Sequence, residues 1–102
     1  MHAILMTQKH GGITSIVLSG AGTAAANGTY TPNGFFYGQP YYQIGATAAY
    51  IYWYGTTWRQ RSSLITSTDY NYDLAGTTTT GPKSPATNNS GSNPVPTVVV
   101  NY

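Results

Sequence analysis

The sequence predicts an all-β protein: a small antiparallel meander, built as a sandwich or a partly open barrel, with a flexible arm before it and a long arm after it. Three observations carry this. Most of the aromatic residues (Tyr 10, Trp 2, Phe 2 in 102 residues) crowd into 27–58, where wide rings suit a pleated surface. Gly, Asn and Pro interrupt that stretch at turn spacing. No segment carries the 3.6-residue apolar period of a helix.

In chain order, residues 1–12 read as an N-terminal arm ending at Gly11-Gly12. Ile13-Thr14-Ser15-Ile16-Val17-Leu18 is a β-branched first strand bounded by Ser19-Gly20-Ala21-Gly22. Ala24-Ala25-Ala26 is too short for a helix, and Asn27-Gly28 is a turn signal. Thr29-Tyr30-Thr31 forms a short strand stopped by Pro32-Asn33-Gly34. Phe35-Phe36-Tyr37 and Tyr41-Tyr42-Gln43-Ile44 flank Gly38-Gln39-Pro40 as a hairpin.

The strand expected over 46–54 sorts its side chains by period two. Thr47, Ala49, Ile51 and Trp53 point one way; Ala48, Tyr50, Tyr52 and Tyr54 point the other. Gly55-Thr56 suits a two-residue loop with Gly first, which sets Trp53 opposite Trp58, Tyr52 opposite Arg59 and Tyr50 opposite Arg61. One face then holds a Trp pair with Ile51, and the other a tyrosine row flanked by arginines, a cation–π arrangement. A one-residue slip would mix the sets. Tyr70-Asn71-Tyr72-Asp73-Leu74 is a further strand, so the meander domain spans 13–75. Residues 76–96 turn Thr-, Gly-, Pro-, Ser- and Asn-rich and read as an arm or long loop. Val98-Val99-Val100-Asn101-Tyr102 closes the 76–102 arm as a strand able to pair with its own sheet or with a neighbouring subunit's edge. Val98, Val99, Val100 and Tyr102 are the candidate inter-subunit strand.

The chemistry-bearing residues are few. There is no Cys and no Glu, and the net charge is +2. The carboxylates Asp69 and Asp73 would lie about 13 Å apart on one strand face, too far for a catalytic pair. His2 and His10 sit in the arm, without metal-ligand spacing to any Cys or Asp. No catalytic, cofactor or metal site is expected. Lys9, Arg59, Arg61 and Lys83 are scattered, a footprint too thin for nucleic acid. No run approaches the ~20 apolar residues of a membrane span. The sequons Asn27-Gly28-Thr29 and Asn88-Asn89-Ser90 serve equally as turn chemistry. What remains is a contact surface, with Tyr50, Tyr52, Tyr54, Arg59 and Arg61 as its candidate residues, either exposed to a partner or a sugar ring or buried by packing.

The ordered set Ser19-Gly20-Ala21-Gly22, Asn27-Gly28-Thr29-Tyr30, Gly38-Gln39-Pro40-Tyr41-Tyr42, Ile51-Tyr52-Trp53-Tyr54-Gly55-Thr56-Thr57-Trp58 and Pro94-Val95-Pro96-Thr97-Val98 resembles a small β module that recurs in tail, fibre and other virion surface proteins of tailed bacteriophages. The stretch before Pro94 departs from that pattern. The resemblance implies a structural or adhesive role on the virion exterior, without a cofactor. The expectation is a non-enzymatic capsid-decoration, head-fibre or tail-appendage subunit that contacts other virion proteins and copies of itself. The alternative is an adhesin module that grips host surface glycans through the tyrosine face.

Overall fold

The computed structural model describes residues 12–64 and 70–102. The expected arm, apart from Gly12, lies outside the described residues, as do His2, His10 and Asp69. Among the described residues the chain forms eight strands: β1 (Ser15–Ser19), β2 (Gly28–Phe36), β3 (Gln39–Gln43), β4 (Tyr50–Trp53), β5 (Trp58–Arg61), β6 (Tyr72–Ala75), β7 (Lys83–Asn88) and β8 (Thr97–Asn101). They make one antiparallel sheet in the order β7-β6-β5-β4-β3-β2-β1-β8. The sheet curls until its edge strands β7 and β8 meet, giving a nearly closed barrel. Of the two architectures the sequence allows, the barrel is the one adopted.

Several elements differ from expectation. β2 does not stop at Pro32-Asn33-Gly34 but passes through by a bulge, with Pro32 opposite Tyr42 and Gly34 opposite Tyr41. A bulge lets a strand carry a proline and a glycine, because the extra residue needs no ladder bond. Gly34 takes φ +145, and a Cβ there would sit 2.9 Å from the Tyr41 ring, so the site needs glycine twice over. The next turn is Tyr37-Gly38, with both φ values positive (53 and 74), and Pro40 falls inside β3 instead of in the loop. β4 begins only at Tyr50, because residues 44–49 curl into a local turn: Thr47 N–H and its hydroxyl both donate to the Ile44 carbonyl.

The larger correction concerns 76–102. This segment, expected as an arm, contributes two strands of the barrel. β7 pairs with β6, from Tyr72 opposite Asn88 to Ala75 opposite Lys83. β8 pairs with β1 of its own chain, Leu18 opposite Val98, Val17 opposite Val99 and Ile16 opposite Val100. Of the two pairings the sequence allows, Val98, Val99 and Val100 make the one with their own sheet, and Tyr102 follows them at the surface. The physical reason is proximity and burial. The short connection 89–96 keeps β1 the nearest edge, and Val98 caps the same interior that Ile16 and Leu18 fill.

That interior gathers Ile13, Ile16, Leu18, Tyr30, Tyr42, Ala49, Ile51, Trp58, Leu74, Ala86 and Val98. A polar thread runs through it. Asn71 Nδ2 donates to Gln60 Oε1 (2.9 Å), Gln60 Nε2 to the Tyr30 hydroxyl (3.0 Å), and that hydroxyl to the Ala26 carbonyl (2.6 Å). Gln60 is 1% exposed, so these bonds are what make its burial tolerable. Beside Ala26, Asn27 clamps the loop by accepting from Ala21 N–H and donating to Ala21 O, so this sequon asparagine is engaged in turn chemistry. The same end is closed by the 89–96 connection. The Tyr72 hydroxyl donates to Ser92 O and accepts from Thr23 N–H, while Gly22 N–H donates to Pro94 O. Gly22 stands so close to the Asn93 carbonyl that any Cβ would force the two loops apart.

Replacing Tyr30 by Phe strands Gln60 Nε2 and the Ala26 carbonyl, and is expected to cost about 1–3 kcal/mol in urea unfolding with the m-value unchanged. A loss near zero would show the thread to be dispensable. Burial raises the pKa of Tyr30 above the ordinary value of 10.0, partly opposed by the Gln60 bond; burial, reinforced by Tyr102, does the same for Tyr42. In the folded state both keep a proton that the unfolded chain releases. Their contribution is therefore complete below about pH 10 and is lost as pH rises beyond it, at about 1.4 kcal/mol per pH unit for each tyrosine. Alkaline unfolding should coincide with the tyrosinate absorbance of these two residues; ionisation of all ten tyrosines before unfolding would contradict this.

Candidate functional site

The β4–β5 hairpin has the register read from its sequence: Tyr50 opposite Arg61, Ile51 opposite Gln60, Tyr52 opposite Arg59, Trp53 opposite Trp58. Tyr54 N–H closes the loop on Thr57 O (3.0 Å), and Gly55 takes φ +94. The two indoles meet at 5.4 Å and 60° on the inner side, with Ile51 beside them. Trp58 Nε1 reaches out of the core to donate to Thr77 O (3.0 Å). Tyr50, Tyr52, Tyr54, Arg59 and Arg61 share the outer side.

That outer side is not the open tyrosine row that an exposed platform requires. Tyr52 is 0% exposed. β2, lengthened by its bulge, carries Phe36 over it, and the two rings meet edge to face at 5.5 Å and 88°. Burial raises the pKa of the Tyr52 hydroxyl, with the charges of Arg61 and Arg59 pulling the other way. Tyr52 is thus packed within the chain, and what covers it is the β2–β3 hairpin.

The remaining residues separate into two groups. Towards the hairpin turns, the Arg59 guanidinium lies between two phenol rings, 3.8 Å from the Tyr54 centroid and 4.1 Å from that of Tyr70. The Tyr70 hydroxyl donates to Asp73 Oδ2 (3.1 Å), and Asp73 stands across the ladder from Arg59. Burial first, then the bond to and charge of Asp73, raise the Tyr70 pKa against the pull of Arg59. Tyr37 continues the strip, stacked on Phe36 at 5.1 Å and 12° and tilted against Tyr54 at 5.8 Å. It is 53% exposed, and its neighbour Phe35 56%. Towards the opposite end, Tyr50 packs against Tyr41 at 6.0 Å, and Arg61 Nη1 donates to Ser63 Oγ (2.6 Å) at the mouth of a small polar cleft.

Sequence reasoning missed Tyr70, Phe36, Tyr37 and Tyr41 as members of this face. Only the turn at Tyr37-Gly38 left a readable trace, because a hairpin there folds its rings back towards Gly55. Tyr70 follows a connection whose length says nothing about register. Val98, Val99, Val100 and Tyr102 take no part in this face, since β8 lies beyond β1 in the strand order.

Chemically the face offers rings, amides, hydroxyls and fixed positive charge. Asp73 is its one carboxylate among the described residues, and these residues contain no group of three potential metal ligands. No protein-family model matches the chain, and no curated protein and no solved structure matches it.

The two ring classes should separate by mutation. Tyr52→Ala empties a fully buried site and is expected to cost about 3–5 kcal/mol. Tyr37→Ala removes a half-exposed ring at a positive φ and should cost less than about 1 kcal/mol. Equal losses in denaturant melts would contradict the burial assigned here.

Proposed function

We propose that this chain is a non-enzymatic structural protein of a tailed-bacteriophage particle, carried on the exterior as a capsid decoration, head-fibre or tail-appendage subunit. It acts through protein–protein contacts with other virion proteins and with copies of itself. The observation that carries the reading is the concentration of large apolar side chains at one end of a rigid barrel. The meander puts the β2–β3 and β4–β5 turns, the β6–β7 connection and the end of β8 on the same side. There Phe35, Tyr37 and Tyr102 are exposed by 56%, 53% and 72%. Exposed aromatic side chains grouped at one end of a small domain are candidates for a contact site, where aromatic anchors supply most of the energy. The likeness of the turn and Trp-hairpin segments to phage surface modules points the same way. So does a face furnished with rings rather than with a proton-transfer pair.

With β8 held by its own β1, the contact-making element becomes the β2–β3 turn rather than the terminal strand. A truncation after Asp73 would remove β7 and β8 and destroy the barrel, so point variants are the informative test. In particles of the phage that encodes this chain, antibody labelling of intact virions should find it on the outer surface. Phe35→Ser combined with Tyr37→Ser should leave the melting curve within about 1 kcal/mol of the parent while abolishing incorporation into particles. Intact virions that carry no label, or full incorporation of the double variant, would overturn the reading.

A further inference from the structure

Two side-chain oxygens of the outer face, Thr57 Oγ1 and Asp73 Oδ1, are buried and have no hydrogen-bond partner among the described residues. Strand alternation puts both on one side of the sheet. Trp58 points into the core, so Thr57 and Arg59 on either side of it point outward, and Arg59 stands opposite Asp73. Thr57, which leads into β5, is thus a diagonal neighbour of Asp73 on β6. The Cα atoms of such a pair lie about 7–8 Å apart, a separation that one small bridging molecule spans. Leaving both oxygens unpaired would be costly, most of all for the carboxylate.

The groups around the two oxygens already form most of a closed circuit. Tyr54 N–H donates to Thr57 O (3.0 Å). The Arg59 guanidinium lies over the rings of Tyr54 and Tyr70, at 3.8 and 4.1 Å from their centroids. The Tyr70 hydroxyl donates to Asp73 Oδ2 (3.1 Å). A bridge from Asp73 Oδ1 to Thr57 Oγ1 closes the circuit.

The chemistry of the two ends narrows the bridging group. An ionised carboxylate only accepts, whereas a threonine hydroxyl both donates and accepts. The bridge must give one hydrogen to Asp73 and either take one from Thr57 or give it another. Water meets this condition, and buried waters sit at such places, bonded to groups with no other partner. A metal ion does not fit. Asp73 is the one carboxylate here, Arg59 already sets a positive charge opposite it, and the described residues hold no group of three potential metal ligands. Larger molecules are kept out, because both oxygens are shielded from solvent.

We propose that one internal water molecule is a structural ligand of the outer face, donating to Asp73 Oδ1 and accepting from Thr57 Oγ1. It ties β6 to the β4–β5 hairpin and so fixes the two rings between which the Arg59 guanidinium lies. The site is separate from the exposed turn that carries the proposed particle contact, and it does not depend on where the chain resides.

A crystal structure of the full chain at near-atomic resolution tests the site directly. The expected density is one ordered water within about 2.5–3.0 Å of both oxygens. Thr57→Val keeps the branched shape and removes the hydroxyl, and should raise the unfolded-to-folded ratio about tenfold in urea melts. Thr57→Ser keeps the hydroxyl and should stay within about threefold of the parent. In an Asp73→Ala background Thr57→Val should cost much less, because the bridge is already lost there. A direct bond between Thr57 and Asp73, a bound ion, or no density between the two oxygens would overturn the proposal. Equal costs of Thr57→Val in the two backgrounds would do the same.

Discussion

A hydroxyl at the centre of a small barrel has to be satisfied on both its donor and acceptor sides, or it destabilises the fold it sits in. Tyr30 meets this condition by donating to Ala26 O on one side and accepting from Gln60 Nε2 on the other. Through Gln60 the thread reaches Asn71, and through Asn71 the turn after β7. One phenol thus joins the β1–β2 loop, β2, β5, the approach to β6 and the turn after β7. The position of each depends on the others, because any displacement leaves a buried polar group unpaired.

The outer face follows from the same economy of material. A domain of this length with few aliphatic residues cannot bury enough area with one interior alone. It adds a second apolar layer outside the sheet, where Phe36 covers Tyr52 and where Tyr54 and Tyr70 enclose the Arg59 guanidinium. Aromatic side chains suit this double duty, since each ring buries a large area and leaves its hydroxyl at the edge for a partner. The consequence is a surface divided in character: a packed centre at Tyr52, exposed rings at the β2–β3 turn, and a polar cleft at Arg61.

The β4–β5 register was legible because Gly55 fixes the loop and strict alternation separates Ile51 and Trp53 from Tyr50, Tyr52 and Tyr54. The burial of Tyr52 was not, because alternation assigns a side of the sheet and not what lies above that side. β7 was hidden for another reason. Lys83-Ser84-Pro85-Ala86-Thr87-Asn88 buries only Ala86, so its sequence carries no alternating apolar signal. It joins the sheet as an edge strand, where proline and lysine are tolerated and where they discourage pairing with other chains. Val98, Val99 and Val100 announced a strand but not its partner.

By itself, then, the sequence determined an all-β chain, the hairpin register and the absence of cysteine and glutamate chemistry, because period-two alternation, turn residues and composition act locally. Tertiary structure alone decided that the sheet closes through β8 on β1, that Tyr52 is buried while Tyr37 is exposed, and that Arg61, Tyr70 and Ser90 share a cleft. Each of these depends on contacts between segments far apart in the chain, and no local pattern specifies which of several compatible edges or rings will meet.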